Sequence, residues 1–132
     1  MSNADVTVTG NLTRDPELRY AKSGTPVCEL GVAVNHRTKG GDDETTFLTL
    51  VVFGDQAENA ASLGKGTRVM GKGRLRVRTY ERKDGGQGTA VEVLVDEVGP
   101  SYRWATGSVE RAEKSGPADR GPVEYAEGQE PF

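Results

Sequence analysis

Hydrophobic and polar residues alternate with a period of two along most of the first hundred positions of this chain. Val6 and Val8 alternate with threonines, and a second apolar series runs from Cys28 to Val34. Because successive side chains of a strand point to opposite faces, this period predicts β-strands with one buried face. The pattern predicts five strands, over residues 5–10, 28–34, 45–54, 68–82 and 89–98.

The segments between these strands are rich in turn-forming residues, with one exception. Residues 11–26, 35–44 and 83–88 are polar or contain Gly and Pro, which favours loops. Between the third and fourth strands we predict a short helix over Gln56–Leu63, with Asp55 as N-cap and Gly64 as its stop. This order of elements is that of an OB-fold, a five-stranded Greek-key barrel. We therefore expect an all-β OB-fold domain over residues 1–106.

The fourth predicted strand separates charged from apolar residues. One face carries Lys72, Arg74, Arg76, Arg78, Tyr80 and Arg82, and the other carries Gly73, Leu75, Val77 and Thr79. Cations in a row repel one another, whereas a polyanion along the strand would remove the repulsion and release counterions. The alternative is a strand edge charged against aggregation, which usually needs only one or two lysines. The row therefore favours a nucleic-acid surface, with Arg76 and Arg78 as the leading phosphate contacts and Tyr80 as a stacking ring.

The third predicted strand is apolar on both faces. Leu48, Leu50 and Val52 form an aliphatic face suited to a barrel interior, which leaves Phe47 and Phe53 on the outside. There the two rings would share a surface with the basic strand and could stack on bases. The alternative is that they pack under a loop or in a subunit contact.

Composition and charge divide the chain into two parts. Of 132 residues only 34% are hydrophobic, and the net charge is −3, yet Lys65–Lys83 carries eight cations and one acid, Glu81. The acidic excess lies after Trp104, so residues 107–132 are predicted to be a disordered acidic tail. This tail ends in Glu130, Pro131 and Phe132, which favours a short peptide that partner proteins recognise. The alternative is an unremarkable chain terminus.

Enzyme chemistry has little support in the sequence. His36 is the only histidine and Cys28 the only cysteine, so neither a His/Cys zinc site nor a Cys–His pair is expected. We expect no catalytic residue, no metal and no cofactor. A single cysteine, no secretory leader and no long apolar run favour a reduced, cytoplasmic location.

Several motifs resemble the bacterial single-stranded DNA-binding protein (SSB) family. They are VTVTGNLTRDPELRY at 6–20, VVFG at 51–54, KG at 65–66 and GRLRVR at 73–78, and GPSYRWAT at 99–106 is similar to the actinobacterial branch or its phages. The resemblance covers residues 4 to about 106 and the last three. It implies an OB-fold homotetramer that binds single-stranded DNA in replication, recombination and repair. It also implies a C-terminal tip that docks replication and repair proteins. The location implied is the nucleoid, or the host cytoplasm for a phage protein.

The resemblance also assigns roles to individual residues. Phe47, Phe53 and Tyr80 match stacking aromatics of the family, and Arg76, Arg78, Arg19 and Lys65 match basic positions. Lys72 and Arg74 have two open assignments, phosphate contact or fold and subunit pairing. A fourth stacking aromatic is missing, since His36, Arg37 and Thr38 occupy its region, where Arg37 could substitute.

The tail departs from the family as well, because its tip offers Glu127 and Glu130 instead of consecutive aspartates. A short linker and this tip would suit a paralogous or phage-encoded member. The competing interpretation is an OB-fold protein-interaction or replication-restart accessory module with weak nucleic-acid binding.

Overall fold

A computed structural model describes residues 2–112, which form six strands and one short helix. The elements are β1 (Asp5–Leu12), β2 (Glu17–Tyr20), β3 (Pro26–Arg37), β4 (Asp43–Phe53), α1 (Asp55–Ala60), β5 (Arg68–Glu81) and β6 (Gln87–Pro100). All strands belong to one sheet in the order β1-β5-β6-β4-β3-β2. No helix within residues 2–112 is long and apolar enough to cross a membrane.

The sheet closes into a barrel because β1 pairs with two strands. It lies antiparallel to β5 along most of its length and meets β3 at Asn11↔Ala33 and Leu12↔Val32. Gly10 permits this closure, since a Cβ there would lie 2.5 Å from the Ala33 carbonyl oxygen. The ring is therefore β1-β3-β4-β6-β5, with β4 and β6 parallel. This confirms the OB-fold, with β2 as an extra strand on the edge of β3.

The barrel interior is filled by the aliphatic faces of the strands. Its buried apolar residues are Val8, Leu12, Cys28, Leu30, Val32, Leu50, Val52, Val69 and Val93, together with Ala57 and Ala60 of α1. Leu50 and Val52 are fully buried, as their alternation with Phe53 predicted. Burial, aided by the charge of Glu29, raises the pKa of the Cys28 thiol, so this cysteine is a neutral packing residue.

Several strand boundaries differ from the prediction. β2 lies in a segment predicted to be a loop, and all of its residues are exposed, so no apolar period marks it. β3 extends to Arg37, which places His36 in a strand, and β4 begins at Asp43. β6 begins at Gln87 and ends at Pro100. These extensions are held by backbone hydrogen bonds to a neighbouring strand, which hydrophobic alternation does not report.

The helix is shorter than predicted and begins differently. Gly54 occupies the N-cap position with φ 73°, and its carbonyl accepts a hydrogen bond from the N–H of Ala57. Asp55 is the first helical residue and makes no capping bond, so its assignment as N-cap was wrong. The helix ends at Ala60, ahead of the predicted stop at Gly64. A positive φ favours glycine, so the backbone at Gly54 sets where α1 begins.

The apolar face of β5 is buried only along its first half. Leu75 is 41% exposed, Val77 57% and Val91, opposite Val77 on β6, 38%. The buried face that alternation predicted is thus incomplete on this strand, because the interior layer ends at Val93 and the β5–β6 hairpin continues past the barrel. We call this extension, residues 75–91, the β5–β6 arm.

Candidate nucleic-acid interface

The outward sides of β4, β6 and β5 form one continuous surface. Strand register places Thr49 beside Glu92, and Glu92 beside Arg76. Paired residues on neighbouring strands point to the same side of a sheet, so the alternate residues of these strands share a face. We call this surface the outer face. Its members are Phe47, Thr49, Val51 and Phe53 of β4, Ala90, Glu92 and Leu94 of β6, and Arg74, Arg76, Arg78 and Tyr80 of β5.

All three predicted stacking rings are exposed on the outer face. Phe47 is 68% exposed, Phe53 46% and Tyr80 44%. Phe47 and Phe53 lie six residues apart on one strand, which separates them by about 20 Å. The Tyr80 ring lies over Gly88, where a Cβ would collide with it, so the glycine lets the ring rest on the β6 backbone. Two rings thus lie on β4 and the third lies on β5 within the arm, with β6 between the two strands.

The two leading arginines share one buried carboxylate that the sequence analysis did not single out. Arg76 donates from Nε and Nη2 to Glu92 Oε1, at 3.1 and 2.7 Å, and Arg78 donates from Nη2 to Oε2 at 3.2 Å. The Glu92 side chain is 5% exposed, whereas those of Arg76 and Arg78 are 46% and 52% exposed. A guanidinium has five N–H donors, so both arginines keep donors for a second anion.

Glu92 stays charged despite its burial. Burial alone would raise its pKa, but the hydrogen bonds and positive charges of Arg76 and Arg78 hold the pKa of the carboxyl below its ordinary value. A charged carboxylate fixes the position of both guanidiniums on the sheet. The outer face therefore carries cations whose positions are set before any ligand arrives.

Arg19 forms an equivalent pairing on the same side of the sheet, at its β2 edge, because the register aligns it with Val27 and Phe53. Its Nη1 lies 2.9 Å from Glu29 Oε1, and the Glu29 side chain is 23% exposed. The hydrogen bond from Arg19 lowers the pKa of Glu29, against the effect of its partial burial. The structure thus places Arg19 on β2, away from Arg76 and Arg78 but paired with a carboxylate in the same manner.

Arg14 is a further cation that the sequence reasoning missed. A Cβ on Gly31 would lie 2.5 Å from Arg14 Nη1, so the guanidinium lies over Gly31, the register partner of Thr49. There it borders a concave region of about 220 Å³ that Phe47, Thr49 and Ala90 also line. Arg14 lies between β1 and β2 in a loop. A loop has no periodicity, so only the motif around it marked this residue.

The remaining predicted cations lie apart from the Arg76–Glu92 pair. Lys72 precedes an irregularity at Lys72/Gly73 and borders a concave region of about 310 Å³ with Thr7 and Met70. Arg74 lies between that region and Arg76, opposite Leu94. Lys65 lies in the turn before β5, where its backbone N–H bonds to Asp15. The structure therefore brings together Arg76, Arg78 and Arg74 but not Lys72 or Lys65.

The region of the missing fourth aromatic is polar and exposed. His36 Nε2 lies 3.3 Å from Thr46 Oγ1. Arg37 Nε lies 3.5 Å from Asp43 Oδ1, and the side chains of Arg37 and Asp43 are each 77% exposed. Such an exposed ion pair is weak, so Arg37 remains able to contact a ligand.

Within residues 2–112, no three His, Cys, Asp or Glu side chains are grouped to hold a metal ion. Glu127 and the tip at Glu130–Phe132 lie outside the described residues.

Comparison with known proteins agrees with the resemblance seen in the sequence. The Single-strand binding protein family matches residues 4–101. A Single-stranded DNA-binding protein of Paenarthrobacter nicotinovorans is 48% identical over 118 residues, covering 84% of this chain and 69% of that protein. Those of Mycolicibacterium smegmatis and Mycobacterium tuberculosis H37Rv are 45% and 43% identical, each over 84% of this chain and 72% of its own length. The chain belongs to the single-strand binding protein family.

Proposed function

We propose that this protein binds single-stranded DNA without sequence preference and uses the outer face to do so. Bases stack on Phe47, Phe53 and Tyr80, and phosphates bind Arg76 and Arg78. The observation that carries this proposal is the shared face: three exposed rings stand beside two arginines that Glu92 holds in place. Family membership supports it, and both point to a binding protein rather than an enzyme.

The chemistry of this face suits sequence-tolerant binding. Every base has a π-face, so stacking contributes about 1–3 kcal/mol per base whatever the sequence. Phosphate contacts position the strand and carry no sequence information. Arg74, Arg19 and Arg14 add positive charge around the same surface. Lys65 and Lys72 are secondary candidates, because they lie outside the group around Glu92.

We further propose that the protein assembles as a homotetramer. One edge of β1 pairs with β5, and its other edge meets β3 only at Asn11 and Leu12. Residues 5–10 therefore have no second strand partner among the described residues. An open edge can pair with the same edge of a second copy. Size-exclusion chromatography with light scattering tests this, with four chains per particle expected and a monomer contradicting it.

The cellular role follows from single-strand binding. Protection of single-stranded DNA would serve replication, recombination and repair in the cytoplasm, at the nucleoid or in a phage-infected host. The tip at Glu130–Phe132 is proposed to dock enzymes of these processes, supported by its aromatic residue and nearby acids.

A salt titration separates this function from the alternative of a protein-interaction or replication-restart accessory module. Anisotropy of a labelled long oligo-dT should rise to saturation at a fixed nucleotide-to-protein ratio. The logarithm of the binding constant should fall linearly with the logarithm of salt concentration. A duplex of equal length is the matched control and should bind far more weakly. Absent or salt-insensitive binding of oligo-dT would contradict the proposal and favour the accessory module.

A further inference from the structure

A second group of aromatic and cationic side chains lies at the opposite end of β5 from Tyr80. Trp104 is the only tryptophan of the chain and is 73% exposed. The Cζ atom of Arg68 lies 4.5 Å from its ring centroid, and that of Arg103 lies 5.2 Å away. Tyr102 is 52% exposed on the same segment. An exposed indole in contact with two guanidiniums combines a stacking surface with positive charge.

Arg68 differs from Arg76 and Arg78 in having no carboxylate partner within residues 2–112. Its Nε is buried and makes no hydrogen bond, and its guanidinium forms no ion pair within residues 2–112. Its backbone is nevertheless fixed, since its carbonyl accepts a hydrogen bond from Ser101 at 2.8 Å. A guanidinium held in place without an anion carries uncompensated positive charge, and a buried unsatisfied donor is costly. An anionic ligand would compensate the positive charge of this guanidinium.

The surface beside Trp104 is concave. A cavity of about 460 Å³ is lined by Asn11, Gly66, Arg68, Tyr102 and Trp104, among others. This volume falls within the range of roughly 300–1,000 Å³ typical of small-ligand sites. The cavity thus offers room for one segment of a flexible ligand next to both aromatic rings and the unpaired cation.

We propose that Arg68, Tyr102 and Trp104 form a second contact for single-stranded DNA. This inference rests on the proposed function and extends its site. Arg68, Lys72 and Arg76 alternate on the same side of β5, so a row of cations connects the cavity with the outer face over about 27 Å. That continuity favours nucleic acid over an acidic peptide, which could also bind an Arg–Trp pair.

The test uses the full chain and the fact that Trp104 is its only tryptophan. The other proposed rings are Phe and Tyr, so selective excitation of indole reports Trp104 alone. Long oligo-dT should quench this fluorescence. The quenching should saturate at the same nucleotide-to-protein ratio as the anisotropy of labelled oligo-dT. Trp104→Ala should weaken long oligo-dT binding roughly 5- to 150-fold, the range expected for one stacked base. Trp104→Phe, which keeps a ring, should lose less, and Arg68→Gln should lower the salt slope by about 1.

Three results would overturn this second contact. The first is that oligo-dT binds the wild-type chain without quenching Trp104 and binds Trp104→Ala with wild-type affinity. This result would leave the proposed function intact. The second is an unchanged DNA affinity with a lower particle mass in Trp104→Ala, which would make the ring a subunit contact. The third is quenching by an acidic peptide such as poly-glutamate but not by oligo-dT. Loss of all oligo-dT binding by the wild-type chain would instead contradict the proposed function itself.

Discussion

Arg76 and Glu92 face each other across β5 and β6, with Arg76 Nη2 2.7 Å from Glu92 Oε1. This pairing puts a buried negative charge directly beneath the proposed phosphate contacts. The carboxylate lowers the positive charge of the face, but it also fixes the guanidiniums, so less side-chain freedom is lost when a ligand binds. Glu92 is therefore a positioning residue for Arg76 and Arg78.

Replacing this carboxylate should destabilise the barrel. Glu92→Gln keeps the shape but leaves Arg76 and Arg78 without their shared anion. Hydrogen bonds to charged groups contribute about 1.5–3 kcal/mol, so we expect the free energy of unfolding to fall by about 1–3 kcal/mol. Urea denaturation measures it, with Glu97→Gln, an exposed acid on the same strand, as the control. Equal stability of the two variants would show that the pair is unimportant.

The same pair predicts a pH dependence. The folded-state pKa of Glu92 is lowered from 4.5, so its contribution is fully present above that value and is lost as pH falls through the lower folded-state pKa. The stability difference between wild type and Glu92→Gln should therefore be constant from pH 7 to about 5 and shrink in more acidic solution. Urea denaturation across this range measures it. A difference that grows with acidity would mean that the pKa is raised.

Tyr80→Ala should weaken binding to oligo-dT by about 1–3 kcal/mol. The reason is the loss of one stacking ring, and since Tyr80 is 44% exposed the barrel should stay folded. Tyr20→Ala is the matched control, because Tyr20 bonds to Glu58 of α1 and lies off the outer face. Anisotropy titrations measure both, and a wild-type isotherm for Tyr80→Ala would remove this ring from the site.

Arg78→Gln should lower the slope of log binding constant against log salt by about 1. Arg78 is the better choice than Arg76, since Glu92 keeps its two bonds from Arg76 and the carboxylate stays paired. Lys22→Gln, in the exposed turn after β2, serves as the control. Titrations of oligo-dT at several salt concentrations give the slopes. Equal slopes for both variants would argue against a phosphate at Arg78.

Removal of Glu130–Phe132 should leave the affinity for oligo-dT nearly unchanged and weaken the capture of replication and repair proteins. The tip carries the aromatic ring on which the proposed docking depends. Pull-down with full-length and truncated chains measures the effect. Equal recovery of partners would return the tip to an ordinary chain terminus.

The sequence predicted the outer face because burial imposes a period of two. Leu50 and Val52 had to point inward, so Phe53 had to point outward, and the same reasoning placed Arg76 and Arg78 together. Glu92 could not be found in this way, since one acid between two valines is an ordinary outward residue. Its role depends on the register Arg76↔Glu92, and register is set by the hairpin as a whole.

The errors have a related cause. Leu75 and Val77 have the alternation of a buried strand, but the barrel is too short to cover them. The basic row identified from the sequence left out Arg68, whose contact with Trp104 joins residues far apart in sequence. A local pattern reports which side of a strand a residue occupies. It does not report what lies against that side.

Ultraviolet crosslinking of oligo-dT to the full chain, followed by mass spectrometry of its peptides, tests the central claim most directly. The proposed site predicts crosslinks on the peptides that contain Phe47, Phe53 and Tyr80, reduced by competing unlabelled oligo-dT and by high salt. A further crosslink near Trp104 is expected if the second contact exists. Salt-sensitive binding with crosslinks confined to other peptides would contradict the assignment of the outer face.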